Sequence, residues 1–370
     1  MSNFHVELKK VIDDSYEVEI GFNLIDKMVQ DLKNGLVKGV NKFAIITDSV
    51  VEKLYANKAY EQIKANGFQA DLFVFPAGEK NKTRETKAFI EDSMLEKSYG
   101  RDCCIIAIGG GVVTDLAGFL AGTFGRGVPF INFATTHLAA ADASIGGKTA
   151  VDTELATNLI GLINQPAKVY IDIATWATLP KRQFASGLAE TIKHACIADK
   201  GFFEFIESNI EAILNCDYEL CEQVAKKNCE IKYNVVIQDE KEKSLREILN
   251  LGHTVGRAIE TVSEYRLLHG EALSIGIVAQ VNLGNKLGFI DEEDKNRVIV
   301  LLERASLPIE IPEYIDLEKL VQKLYTDKKV RNGHIRFVFQ KGIGQVQKFE
   351  NDTYATPIAE AVIKEVLEKM

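Results

Sequence analysis

The first half of the chain alternates two kinds of apolar pattern. KFAIITD (42–48), ADLFVFP (70–76), CCIIAIGGG (103–111), VPFINFA (128–134) and AKVYIDI (167–173) are short β-rich runs. Between them, residues 50–66, 83–97 and the VVTDLAGFLAGTF stretch after the glycines carry apolar residues at helical spacing. That alternation predicts parallel βαβ units and a sheet of about five or six strands. From about Leu179 the texture changes. FASGLAETIKHACIA, NIEAILNCDYELCEQVAKKNCEIKYNVV, TVGRAIETVSEY, GEALSIGIVAQVNLGNKLG and EDKNRVIVLLERA all repeat apolar residues at i, i+3 and i+4, so the second half is expected to be mainly helical. Pro180, followed by the polar Lys181 to Gln183, marks the break. The expected architecture is α/β plus α, with one domain over 1–180 and a helical one over 181–370.

Length supports the division, because 370 residues exceed the roughly 250–300 at which single cores split. With 46% hydrophobic and 26% charged residues the composition is that of an ordinary globular protein. No segment reaches the ~18 uncharged apolar residues of a membrane span, and MSNFHVELKK lacks a signal-like pattern. A cytoplasmic location without membrane association is therefore expected. A net charge of −9 argues against a nucleic-acid partner, so any basic site must be local. Adjacent Cys103 and Cys104 in an apolar run read as reduced core residues, and Cys216 and Cys221 lack the C-x-x-C companion of a metal site.

A strand running into Gly109-Gly110-Gly111 and then a helix lets backbone approach a bound group and aims N–H groups at negative charge, which fits a dinucleotide phosphate. A tight βα turn would use the same glycines. Asp48, at the end of an earlier strand, suits ribose hydroxyls, and equally suits a helix N-cap. The stretch 123–161 embeds Arg126, Asp142, Lys148 and Asn158 among small and hydroxyl residues, and reads as a site rather than a surface loop. Two histidines, His253 and His269, each precede a helix and can project into one cleft. With the carboxylate of Glu190, set among apolar and small residues where an unpaired charge is costly, they form a two-His, one-carboxylate set of the kind that binds catalytic zinc. His194, one turn after Glu190, is a rival ligand, and two histidines satisfied by backbone is the purely structural alternative.

These segments occur in a telling order. GGGVVTDLAGFLAGTFGRGVPFI, DASIGGKTAVD, NLIG, QPAKVYID, LPKRQFASGLAETIK, LREILNLGHTVGRAIE and HGEALSIGIV closely resemble the 3-dehydroquinate synthase family, from about Asp48 to DKKVRNGHIRFV at 327–338. The resemblance implies an N-terminal Rossmann-like NAD-binding domain, a helical metal-binding domain, and a homodimer. It matches Glu190, His253 and His269 to the ligands of a divalent metal, zinc first and cobalt as an alternative. It matches Asp48, Glu79, Lys82, Gly110, Gly111, Val112, Asp115, Thr135, Thr136, Leu138, Asp142, Thr178 and Leu179 to NAD positions. Asp142, Lys148, Asn158, Lys193, Lys232, Arg246 and Asn250 match positions around a small anionic sugar-phosphate substrate. Arg126 matches an arginine that reaches the neighbouring subunit's phosphate site, and Glu242 a residue proposed to accept a proton. The implied reaction converts 3-deoxy-D-arabino-heptulosonate 7-phosphate to 3-dehydroquinate and phosphate by oxidation, elimination, reduction and internal aldol closure, a step of aromatic amino acid biosynthesis with NAD acting catalytically.

Several positions depart from the family pattern. Arg257 stands where G-H-T-x-G-H ends in histidine; arginine binds phosphate in bidentate fashion but does not shuttle a proton near neutrality. Thr157 replaces a lysine, as does His334 in the late G-K-x-R-F segment, while Ala134, His137, Ala143 and Thr114 replace other family residues. Related cyclases acting on sedoheptulose 7-phosphate or glucose 6-phosphate depart at the G-G-K and G-H-T segments, which this chain keeps at Gly146-Gly147-Lys148 and Gly252-His253-Thr254. A metal-dependent polyol dehydrogenase would need an aspartate at the carboxylate ligand position.

Overall fold

The computed structural model describes residues 5, 7, 13–40, 42–154, 156–325 and 334–370. The DKKVRNG part of the last family-like segment lies outside them. Six strands form one all-parallel sheet: β1 (Glu17–Gly21), β2 (Lys42–Asp48), β3 (Gln69–Phe75), β4 (Cys103–Gly109), β5 (Phe130–Ala134) and β8 (Lys168–Asp172). Their order across the sheet is β1-β8-β5-β4-β2-β3. The intervening β6 (Lys148–Val151) and β7 (Ile160–Ile163) pair antiparallel as a separate hairpin. Helices α1 (Ile25–Lys33), α2 (Asn57–Ala65), α3 (Arg84–Glu96) and α4 (Gly111–Thr123) cover the sheet. β4 is buried along its whole length, as its unbroken apolar run requires of a central parallel strand, and Cys103 and Cys104 are free thiols within it.

Five of the six strands are the apolar runs of the sequence. The sixth, β1, is an edge strand whose Glu17 and Glu19 both reach Lys168 of β8, at 3.3 and 2.7 Å. Its E-V-E-I alternation is the period-two signature of a half-exposed strand.

After Pro180 the chain is helical: α5 (Lys181–Ala198), α6 (Lys200–Leu214), α7 (Tyr218–Val236), α8 (His253–Val262), α9 (His269–Lys286), α10 (Glu292–Arg304), α11 (Leu317–Leu324) and α12 (Glu360–Leu367). A short antiparallel pair, β9 (Arg336–Val338) with β10 (Ala355–Pro357), joins them. The segment from Asn209 to Val236 is not one helix. Asp217 caps α7 by accepting from the Leu220 amide at 3.1 Å, with Cys216 before it in the left-handed region at φ 59°. One apolar core runs from Val169 and Ile171 of the sheet through Leu188 and Ile192 of α5 to Ile277 of α9, so the helical half is packed against the sheet rather than tethered to it.

Candidate active site

In a parallel sheet, ligands bind beyond the carboxyl ends of strands where the strand order reverses. Here β2 leads outward to β3 while β4 leads the other way to β5, so the crevice lies between the ends of β2 and β4. Asp48 ends β2 and Gly109 ends β4. Asp48 Oδ1 accepts the amides of Val50 and Val51 at 2.8 and 3.0 Å, so the local capping role is filled. At Gly109 a side chain would collide with Val113, its Cβ lying 2.5 Å from Cγ2, and at Gly110 it would press on Thr136. The glycines let α4 begin tightly against β4 and β5, with no side chain capping its first amides. Thr135 is buried at the end of β5, with Thr136 Oγ1 accepting the Ala139 amide at 3.1 Å. Thr178 meets Tyr55 hydroxyl to hydroxyl at 2.5 Å beyond β8.

Close to this crevice one buried lysine holds three carboxylates. Lys82 Nζ is ion-paired with Glu79, with Asp115 at 3.5 Å and with Asp152 at 3.6 Å. Burial works against the ammonium, but the three acids raise its pKa well above the usual lysine value. Acids in excess cannot all be satisfied by one cation. Burial pushes the Asp115 carboxyl up to about 7 against the pull of Lys82, with Glu79 and Asp152 adding to the rise.

The opposite wall is basic. A cavity of about 300 Å³ is lined by Lys148, Lys193, Lys232, Arg246 and Arg257, with Asp115, Asp142, Asn158, Asn250 and His253 among their neighbours. Local structure aims Arg246, Lys232 and Lys148. Gly146 (φ 86°) and Gly147 (φ 68°) make a left-handed turn that places the Gly146 carbonyl 2.9 Å from Arg246 Nη2, and a side chain at Gly146 would strike that guanidinium. Arg246 Nη1 donates to the Glu240 carbonyl at 2.5 Å. Lys232, on α7, donates to the Asp142 carboxylate at 2.7 Å and also to its main-chain carbonyl. Burial raises Asp142, yet Lys232 outweighs it and holds the carboxyl far below the ordinary range. Glu242 is not among the lining residues; it accepts from Lys148 Nζ and from Asn250 Nδ2, both at 2.6 Å, and so ties two lining side chains together. Arg126 lies outside, exposed in the turn between α4 and β5.

At the junction of the two walls, α8 and α9 start with His253 and His269, and α5 presents Glu190 from its buried middle. Glu190 Oε1 lies 3.4 Å from His253 Nε2 and 3.1 Å from His269 Nε2. Both rings are held from behind. His253 Nδ1 donates to the Leu251 carbonyl at 3.3 Å, and His269 Nδ1 faces Glu260 Oε2 at 3.4 Å, leaving both Nε2 atoms for a ligand. Burial keeps His253 neutral, lowering its pKa to about 3. For His269 burial again opposes charge, but Glu260 and Glu190 push it up to about 10. The pocket is thus built to hold positive charge at this point. A second set, Asp142, Glu190 and His194, also falls within 4.8 Å of mutual approach. Glu190 itself is fully buried and held well below the usual glutamate range, Lys193 and His253 overcoming burial.

Sequence reasoning overlooked Asp152 and Glu260. Glu260 carried a signal, a lone acid inside an apolar helix two turns after His253. Asp152 ends the DASIGGKTAVD segment, but its role had no local signal, because its partner Lys82 is distant in the chain. The departures sort by place. Arg257 and Ala143 line the cavity. His137 is fully buried, stacked on Trp176 at 4.6 Å with Nε2 2.9 Å from Thr191 Oγ1, where burial lowers its pKa to about 3 and keeps it a neutral packing residue. His334 is exposed.

With this geometry in place, comparisons with known proteins become informative. Residues 72–186 match the family model of the 3-dehydroquinate synthase N-terminal region, and residues 187–330 that of the C-terminal region. A 3-dehydroquinate synthase from Acetivibrio thermocellus is 42% identical over 337 residues, 90% of this chain and 92% of that protein. The chain belongs to the 3-dehydroquinate synthase family. Its fold is also that of related cyclases. A 2-epi-5-epi-valiolone synthase from Streptomyces hygroscopicus, solved with NAD+ and Zn2+ bound, superposes with a TM-score of 0.87 over 99% of both chains at 25% identity. A 2-deoxy-scyllo-inosose synthase complexed with carbaglucose-6-phosphate, NAD+ and Co2+ gives 0.85 over 95% of this chain and 96% of that one, at 26% identity. Family membership and the six-stranded parallel sheet agree with the sequence expectations for fold and reaction class.

Proposed function

We propose that this chain is a 3-dehydroquinate synthase, converting 3-deoxy-D-arabino-heptulosonate 7-phosphate to 3-dehydroquinate and phosphate with bound NAD and a divalent metal. The observation that carries this reading is the convergence of five cations on one cavity beside the Glu190, His253 and His269 cluster. A substrate bearing both a phosphate and a carboxylate needs such a field, and family membership supplies the reaction. Within the chain, 1–180 is taken as the nucleotide-binding region and 181–370 as the metal- and substrate-binding region.

Glu190, His253 and His269 would hold the metal, zinc or cobalt. They are favoured over the set with His194 because Asp142 of that set is already bound to Lys232, whereas the two Nε2 atoms here converge on one carboxylate oxygen. Such an ion lowers the pKa of a coordinated alcohol and polarises the carbonyl formed from it, and NAD supplies the hydride acceptor. The glycine turn, Asp48, Glu79, Lys82, Asp115, Thr135, Thr136, Leu138, Thr178 and Leu179 would hold the nucleotide. Lys148, Lys193, Lys232, Arg246 and Arg257 hold the anionic substrate. Partners of their own fix Lys148, Lys193, Lys232 and Arg246 before substrate arrives, so little reorganisation accompanies charge development. Glu242, fastened by Lys148 and Asn250, is placed to take a proton at its carboxylate. The substrate phosphate, gripped by Arg257, serves as a further base because arginine cannot. A homodimer is part of this reading, with exposed Arg126 reaching the partner's phosphate site. Among the described residues no helix is long and apolar enough to cross a membrane.

Purified protein with substoichiometric NAD+ and a divalent metal is expected to release one inorganic phosphate per heptulosonate phosphate and to form a carbocycle, read by a colorimetric phosphate assay and mass spectrometry. Absence of release, together with turnover of a heptulose phosphate lacking the carboxylate, would overturn the substrate assignment.

A further inference from the structure

Asp152 follows β6 and is one of the three acids around Lys82, yet it also touches the substrate wall. Its amide donates to the Lys82 carbonyl at 2.7 Å, and Asp152 forms a parallel bridge with Thr83, which seats the β6–β7 hairpin on the segment that carries Glu79 and Lys82. One carboxylate oxygen, Oδ1, accepts the Asn158 amide at 2.8 Å. Asn158 lines the substrate cavity and is held in the left-handed region at φ 55°, a conformation that costs energy without a partner to fix it. The other oxygen, Oδ2, is buried and faces Lys82 Nζ at 3.6 Å, and the Asp152 carboxyl also meets that of Glu79. Asp152 is only 7% exposed.

We propose that Asp152 is a positioning residue that couples the nucleotide wall to the substrate wall, with Oδ1 setting Asn158 and Oδ2 setting the Lys82 cluster. The two oxygens divide the work, so the two functions separate by substitution. Asparagine keeps an acceptor for the Asn158 backbone amide but removes one of the three negative charges that hold the Lys82 ammonium. Alanine removes both. Lys148, at the start of β6, belongs to the same hairpin, so two of the side chains that line the cavity, Lys148 and Asn158, are carried on this joint.

The inference rests on the proposed reading of which ligand occupies which wall, and the test separates the two. For Asp152→Ala, the KM values for NAD+ and for the heptulosonate phosphate are both expected to rise about tenfold, the scale of one unsatisfied buried partner on each side. For Asp152→Asn, the NAD+ KM rises similarly while the substrate KM returns to within about twofold of the parent. A residue that merely stabilises the fold would lower the melting temperature and the active fraction of both variants without this split. Hydrogen exchange over the 148–163 hairpin gives a readout that needs no turnover: NAD+ alone should slow exchange in the parent protein and not in Asp152→Ala. If the parent fails to turn over the heptulosonate phosphate but NAD+ still protects the hairpin through Asp152, the substrate assignment is lost and the coupling stands. Unchanged KM values in Asp152→Ala, or NAD+ protection that persists without Asp152, would overturn the coupling.

Discussion

The two walls of the cleft solve opposite electrostatic problems. On the side of the strand ends a single lysine is shared by Glu79, Asp115 and Asp152, an excess of negative charge. Across the cavity five cations are gathered, and the acids that meet them, Asp142, Glu190 and Glu242, are fewer than they are. Asp115 is accordingly driven up to about 7, whereas Asp142 is driven far down. The same residue type in one cleft is thus pushed in opposite directions by its surroundings. In the proposed enzyme the acid-rich wall receives a nicotinamide that is cationic when oxidised, and the basic wall a multiply anionic substrate. The histidines stand between, where with Glu190 they would hold an ion.

The sharpest break of this comparison is to remove that junction. His269→Ala is expected to lose bound metal and activity together, by about a thousandfold or more, since an ion supplies several kcal/mol to the step it assists. His194→Ala should retain metal within about twofold, because the set that includes His194 also needs Asp142, whose carboxylate is already paired with Lys232 at 2.7 Å. Metal content after dialysis, measured by mass spectrometry, decides between the two sets. Loss of metal in His194→Ala with retention in His269→Ala would move the ion to Asp142, Glu190 and His194.

A smaller effect tests the acid-rich wall alone. A carboxyl whose folded pKa of about 7 lies above its unfolded value of 3.8 stabilises the fold fully below the unfolded value, and that contribution is lost as pH rises through 7. Asp115→Asn removes the dependence. In protein free of nucleotide and metal, the variant should gain about 2 kcal/mol more over the parent at pH 8 than at pH 5, by urea denaturation. Lys82 keeps Glu79 and Asp152 as partners in the variant. A variant less stable than the parent at pH 8 would mean that the wall is not over-supplied with acid.

How much of this was legible in the sequence follows from the range of the interactions. Strands β2, β3, β4, β5 and β8 are short, mostly apolar runs, and α8 and α9 announce themselves by a histidine at each start; these are local signals. The β6–β7 hairpin was read only as a stretch rich in small residues. Its Gly161 is required because a Cβ there would lie 1.9 Å from the Thr149 carbonyl, a contact created by pairing and not by pattern. Lys193 and Glu190 sit three residues apart on one face of α5, and both were found. Asp152 and its shared role with Lys82 were not, since nothing near either residue encodes the other. The family resemblance found most site residues for the same reason: it carries long-range information that periodicity lacks.

Arg257 offers the finest test of the basic wall. It lies one turn after His253 on α8, lines the cavity, and its charge helps keep His253 neutral. A guanidinium grips a phosphate by two parallel hydrogen bonds but does not release a proton near neutrality. Arg257→His therefore exchanges hold for titration. The substrate KM should rise about fivefold, as one charge-assisted contact is weakened, while kcat stays within about threefold. The profile of kcat/KM against pH should gain a limb near the ordinary imidazole pKa of about 6.5, absent from the parent. Because the wall keeps four other cations, the change should be smaller than at the metal or in the acid cluster. A rise in kcat with no change in KM would break the comparison at this point, since it would mean that the wall lacked a proton carrier rather than a phosphate grip, and that the substrate phosphate was not serving as the base.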